Sequence, residues 1–197
     1  MVDTQVRPSD VTKFPIIDAM LSIPREAFVP RALRPAAYAG EALTLAPGRV
    51  ILDPRVLAKM LEALDVGPDD MVLEIGSGLG YSAAVIAHMA EMVVALESDE
   101  ALATEAAAAL AENGSDNVAV ITGELAGGAP QHGPYDAIII QGAVQRLPDT
   151  IGDQLKDGGR IAAIFQDGAQ GQCRVGLKSA GRISWNREFD ATAPVLP

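Results

Sequence analysis

Glu74-Ile75-Gly76-Ser77-Gly78-Leu79-Gly80-Tyr81 is the stretch that decides how this chain is read. It follows an apolar run, residues 71–75, short enough to be a strand. It precedes residues 81–90, which carry a helical pattern. Glycines between a strand and a helix permit a tight turn and let a ligand approach the backbone closely. A second apolar run, residues 92–96, closes on Glu97, 21 positions after Gly76. A carboxylate at the end of that strand can accept both hydroxyls of a ribose.

The same alternation continues on both sides. Asp53-Pro54 opens a helix, because Asp is a good N-cap and Pro suits the first helical position. Val56, Met60, Leu61 and Leu64 supply its apolar face. Ser98 or Asp99 caps the next helix, which runs to Glu112 and stops at Asn113-Gly114. Residues 118–122, 137–140 and 160–165 read as further strands, with a helix over 148–155. Residues 173–179 and 182–189 flank Ala180-Gly181 as a terminal hairpin. Six prolines punctuate residues 1–50, and short helices over 11–21 and 25–33 fit between them. The expected fold is α/β: a Rossmann-like, doubly wound, mostly parallel sheet with a terminal antiparallel hairpin and an N-terminal helical extension. One domain is expected over 1–197, with 1–52 as the substrate-side extension and 53–197 as the cofactor-binding core.

Composition narrows the partners. The 197 residues carry 15 Lys and Arg against 26 Asp and Glu, a net charge of −11. That argues against a nucleic-acid backbone or an anionic membrane as main partner. Hydrophobic residues make up 49%, a globular rather than a disordered composition. Cys173 is the only cysteine, so neither an intrachain disulfide nor a cysteine-only metal site can form; it reads as a small buried residue. With no basic start followed by an apolar stretch, the protein is expected to be soluble and cytoplasmic. Its oligomeric state is left open.

Two ligand classes use such a loop. A dinucleotide fingerprint requires a third glycine at position 81, where Tyr81 stands. The pattern is instead G-x-G-x-G with Glu74 two residues ahead, and it resembles the class I S-adenosylmethionine-dependent methyltransferases. That resemblance implies S-adenosyl-L-methionine as cofactor. It also implies that Glu124, after Gly123 beyond the third strand of the core, meets the adenine amino group. The plain alternative is a structural turn with Glu97 and Glu124 solvated.

More closely, the chain resembles the protein-L-isoaspartate O-methyltransferase family over nearly its full length. The matching residues are Pro24-Arg25-Glu26-Ala27-Phe28-Val29-Pro30, Tyr38, Pro54, residues 72–84, Asn117-Val118, Pro134-Tyr135-Asp136-Ala137-Ile138-Ile139 and Gln154-Leu155-Lys156-Asp157-Gly158-Gly159-Arg160. The resemblance implies methyl transfer to the α-carboxylate of isoaspartyl residues in damaged proteins or peptides. It assigns cofactor contacts to Glu74, Gly76, Ser77, Gly78, Gly80, Tyr81, Glu97, Ser98, Gly123 and Glu124. A carboxylate is already ionised at pH 7, so no general base and no metal are required.

The departures from the family lie on the substrate side. Leu52 stands at the family's serine position, with Asp53 adjacent as either a cap or a repelling anion. Leu125 replaces a glycine and Gly40 an acidic residue. Two readings follow. One is a repair enzyme that holds its substrate carboxylate with backbone amides and Arg49 or Arg55, in which Leu52→Ser raises turnover. The other is a diverged member that binds the cofactor but methylates another carboxylate or serves as a regulatory domain.

Overall fold

The computed structural model describes residues 1–197. Its central feature is a seven-stranded sheet in the order β5-β4-β3-β6-β7-β8-β9. The strands are β3 (Met71–Ile75), β4 (Met92–Glu97), β5 (Val118–Thr122), β6 (Tyr135–Val144), β7 (Leu155–Asp167), β8 (Gln170–Ser179) and β9 (Arg182–Asp190). The first five are mutually parallel; β8 and β9 run antiparallel as the expected terminal hairpin. Helices α1 (Phe14–Ser22), α2 (Pro54–Leu64), α3 (Tyr81–Ala87), α4 (Glu100–Glu112) and α5 (Asp149–Asp153) cover it.

The central strands are apolar throughout because both sheet faces are covered. Their period of two divides the core cleanly. Val72, Val93, Ala95, Ala137, Ile139 and Ala162 face a large cluster with the N-terminal segment, α1, α2 and α3. Leu73, Val94, Leu96, Ile138, Ile140 and Ile161 face a smaller one with Ile151 of α5. Cys173 lies in the large cluster, and burial pushes its thiol up to about 12, so it is inert packing.

Helix starts follow the expected chemistry. Asp53 Oδ1 accepts from the backbone N–H of Arg55 at 2.6 Å and of Val56 at 3.4 Å, so Asp53 caps α2. Such a cap contributes about 1 kcal/mol. Asp99, rather than Ser98, caps α4 through Ala101 and Leu102.

The N-terminal segment departs from the helical expectation. Residues 25–33 do not form one helix but two 3-10 turns, Arg25–Phe28 and Arg31–Ala36. Pro30 and Pro35 lack the N–H that a continuous helix requires. Residues 43–51 are not helical at all. They form a separate antiparallel hairpin, β1 (Leu43–Ala46) and β2 (Arg49–Ile51), turned by Pro47-Gly48. In the core, β6 and β7 are longer than expected and α5 is shorter.

Candidate functional site

The site lies where β3, β4 and β6 end, at the C-terminal edge of the parallel sheet, the position at which open α/β sheets bind ligands. Gly76, Gly78 and Gly80 all have positive φ, +79°, +55° and +87°, which a side chain would strain. The loop is pinned to β4, as the N–H groups of Gly76 and Ser77 both donate to the Leu96 carbonyl at 2.8 and 3.2 Å.

Glu97 is fully buried at the tip of β4. Its Oε1 accepts from Arg49 Nε at 2.8 Å, from the N–H of Ser98 at 2.7 Å and from the N–H of Asp99 at 3.0 Å. Its Oε2 accepts from the N–H of Gly78 at 2.9 Å. Arg49, 3% exposed, also donates through Nη2 to Ser98 Oγ at 2.6 Å. The carboxylate expected at the ribose position is therefore present and oriented toward the glycine loop. It is also ion-paired to a side chain of the hairpin.

Glu74 is the second buried carboxyl. It faces Ser82 and Gln141, yet neither oxygen closes a hydrogen bond. Burial pushes it up to about 8, so it is protonated at neutral pH. Ser77 Oγ and Gln141 Nε2 are likewise buried without partners. These orphaned atoms surround the glycine loop and are polar groups that a ligand could satisfy.

Gly123 is tied to Glu97 through its N–H and the Glu97 carbonyl, and the Glu124 side chain is exposed beside it. Next to it, Ile75, Leu125, Ile140, Val144, Ile151 and Leu196 help to line an apolar cavity of about 290 Å³. Tyr81 is placed differently from its expected cofactor contact. Its ring packs under the Arg25 guanidinium, 4.7 Å from the centroid, and against Phe28, on the core side of the loop.

The substrate-side residues separate. Leu52 is 3% exposed within the large apolar cluster, and its carbonyl accepts from buried Arg25. Leu52→Ser would therefore remove packing and bury a hydroxyl rather than simply restore a polar contact. The expected result is a loss of roughly 3 kcal/mol in urea unfolding at pH 7. A loss below about 1 kcal/mol would show that the side chain carries little packing. Asp53 caps α2 and lines a cavity of about 810 Å³, together with Glu41, Arg55, Gln172, Arg187 and Asp190.

Two features were outside the sequence reading: the hairpin that brings Arg49, read there as a candidate for the substrate carboxylate, to Glu97 instead, and the packing of Leu196 against Gly76 and Gly142. The signal for the hairpin was Pro47-Gly48 between two short apolar runs.

The comparisons with known proteins agree with this geometry. The family described as Protein-L-isoaspartate(D-aspartate) O-methyltransferase (PCMT) matches residues 3–191. A protein-L-isoaspartate O-methyltransferase of Herpetosiphon aurantiacus is 40% identical over 197 residues, covering 100% of this chain and 87% of that protein. One from Methylorubrum extorquens is 41% identical over 190 residues, covering 96% and 82%. This chain belongs to the protein-L-isoaspartate O-methyltransferase family. A solved structure of a protein so named superposes with a TM-score of 0.85 at 25% identity; it covers 97% of this chain, which spans 63% of that one. A family structure from Plasmodium falciparum, 20% identical, shares the fold at a TM-score of 0.84, covers 97% of this chain and 94% of its own, and contains S-adenosyl-L-homocysteine.

The residues of this family member fit S-adenosyl-L-methionine chemically. The loop has no side chain at Gly76, Gly78 or Gly80 to hold a ligand off its backbone, and Glu97 Oε2 accepts only from the Gly78 N–H, which leaves it able to accept a hydroxyl. The apolar cavity suits a flat heterocycle, and Glu74, Ser77 and Gln141 leave buried polar atoms unpaired.

Proposed function

We propose that this protein catalyses S-adenosyl-L-methionine-dependent methylation of the α-carboxylate of isoaspartyl residues in damaged proteins. The observation that carries the reading is the family match over residues 3–191, combined with the glycine loop and the buried carboxylate at the end of β4. When bound, the cofactor supplies an electrophilic methyl group. We assign its contacts to Glu74, Gly76, Ser77, Gly78, Gly80, Glu97, Ser98, Gly123 and Glu124, with Tyr81 supporting the loop from the core side. We assign residues 1–52 to the substrate side and 53–197 to cofactor binding within one domain.

The chain has little covalent chemistry to perform. An ionised carboxylate needs no base, so the protein aligns the nucleophile and excludes water. Of the two arginines considered for the substrate anion, Arg49 is committed to Glu97. Arg55 lines the large cavity beside Asp53 and is the one that remains to hold the carboxylate. We place the protein in the cytoplasm, acting on proteins and not on nucleic acid. No helix is long and apolar enough to cross a membrane, and the net charge of −11 disfavours a polyanionic partner.

The test is transfer of labelled methyl from S-adenosyl-L-methionine to an isoaspartyl peptide, with the aspartyl peptide as control. Transfer to the isoaspartyl peptide alone is expected. In Arg55→Ala the KM for that peptide should rise about tenfold, the effect of losing one charged hydrogen bond. Absence of transfer from protein that still binds the cofactor would contradict the assignment.

A further inference from the structure

The end of β6 swells beside the glycine loop. β3 pairs with β6 as far as Ile75 opposite Ile140. Between the pairs Ile139 with Ala162 and Ala143 with Ile164, β6 advances four residues while β7 advances two. Residues 140–142 take up the excess. Bulges of this kind gather next to active sites, where they re-aim a side chain. Here the bulge sets the Gln141 carbonyl against the loop, since a methyl placed on Gly76 would lie 3.5 Å from it. The Gln141 side chain is buried there, at 2% exposure, and turns toward Glu74.

Two unpaired groups thus face each other. Gln141 Nε2 is a buried donor without an acceptor, and both Glu74 oxygens are buried without a donor. The groups that act on Glu74 are Ser82 from α3, Gln141 from β6 and the negative Glu97 from β4; no cation is among them. The glycine loop adds the Ser77 hydroxyl, also unpaired. An ionised Glu74 must therefore take its counter-charge from a ligand. A sulfonium has no N–H to give, whereas an ammonium brings three donors.

We infer that Gln141 is the positioning residue for Glu74: its amide donates from Nε2 to the Glu74 carboxylate and sets it to receive the α-ammonium of the cofactor. The inference rests on the cofactor reading above. In the empty site Glu74 is neutral, and the same amide can turn to offer Oε1 to the carboxyl proton. When the ammonium arrives, that proton leaves for solvent and Nε2 takes its place beside the oxygen. A hydrogen bond to a charged group favours the charged form, so Gln141 eases the ionisation of Glu74.

The experiment uses Gln141→Met, which keeps a straight side chain and removes the amide. Circular dichroism checks the fold. Calorimetry at pH 7 compares S-adenosyl-L-homocysteine, which carries the ammonium, with methylthioadenosine, which keeps the nucleoside and the sulfur but has no amino-acid end. Affinity for the first is expected to fall about tenfold and affinity for the second to stay unchanged. Urea unfolding of the ligand-free protein gives the second readout. Glu74 makes stability fall as pH rises, up to about 8 in the wild type. In Gln141→Met the fall should continue about one pH unit higher. A change that only disturbed packing would lower the whole profile without moving that limit. Equal weakening of both ligands, or an unmoved limit, would overturn the role of Gln141 and leave the cofactor reading standing. Should Gln141→Met not fold, side-chain amide NMR of the wild type decides. Gln141 Nε2 protons that shift with S-adenosyl-L-homocysteine and not with methylthioadenosine support the role, and protons indifferent to both overturn it. Failure of the wild type to bind S-adenosyl-L-homocysteine would remove the cofactor reading and the ammonium contact with it.

Discussion

Glu97→Ala is expected to abolish S-adenosyl-L-homocysteine binding and to lower the unfolding free energy by roughly 3 kcal/mol. Removing one partner of a buried ion pair costs about 3–5 kcal/mol, because the other charge stays desolvated. Here Arg49 would be left buried, and the Gly78 N–H would lose its acceptor inside the fold. Two features hold the cost at the low end. Ser98 and Asp99 are exposed, so their N–H groups can turn to water. Arg49 opens the buried strand β2 two residues after the exposed Pro47, so its guanidinium lies close to water at the turn. The reciprocal change is asymmetric. Arg49→Ala leaves Glu97 with three backbone donors, which a carboxylate can tolerate, and the expected loss is only about 1 kcal/mol. Urea unfolding at pH 7 of both single variants and the double variant measures the coupling. Undiminished ligand affinity in Glu97→Ala would show that the ribose acceptor lies elsewhere.

The parts of this molecule that the sequence made visible are those whose cause is local. The glycine loop, the caps at Asp53 and Asp99 and the apolar strands each follow from neighbours within one turn or one strand. The fold class then follows from their alternation. Glu97 could be placed because its distance from Gly76 is set by one helix and one strand. Its partner could not: Arg49 lies 48 positions away, on a hairpin whose strands of four and three residues carry too little alternation to register as strands. The placement of Leu196 carries no local signal at all, since it arises from the space left by Gly76 and Gly142. Leu52 shows a further limit. The family resemblance implies a polar site position for it, whereas its burial makes it core, and only packing distinguishes the two.

Glu74 gives the largest pH effect expected in this protein. Its carboxyl is fully buried, and burial is the main cause that raises it to about 8; the negative charge of Glu97 adds to the rise, and Ser82 and Gln141 oppose it. In the unfolded chain a glutamate titrates near 4.3. Between those values the native state holds a proton that the unfolded state has released, so stability falls as pH rises. The contribution is complete below the unfolded value and is lost as pH rises through about 8. Across that window the loss is on the order of 4 kcal/mol. The other shifted groups leave the window clear. Asp65 and Asp136 are held below their ordinary range by Lys13 and Lys156, so they act at lower pH. The Cys173 thiol, pushed up to about 12, weakens the fold only at higher pH. Glu74→Gln keeps the volume and fixes the neutral form. It should match the wild type at pH 5, exceed it by several kcal/mol at pH 8.5, and flatten the profile between. Urea midpoints at pH 5, 7 and 8.5 measure this, and parallel profiles would show that Glu74 is ionised in the fold. The same proton bears on the site: a cationic ligand beside Glu74 favours its charged form, so binding at pH 7 should release a proton. Calorimetry of S-adenosyl-L-methionine binding in two buffers of different ionisation enthalpy would count that proton, and Glu74→Gln should bring the count to zero.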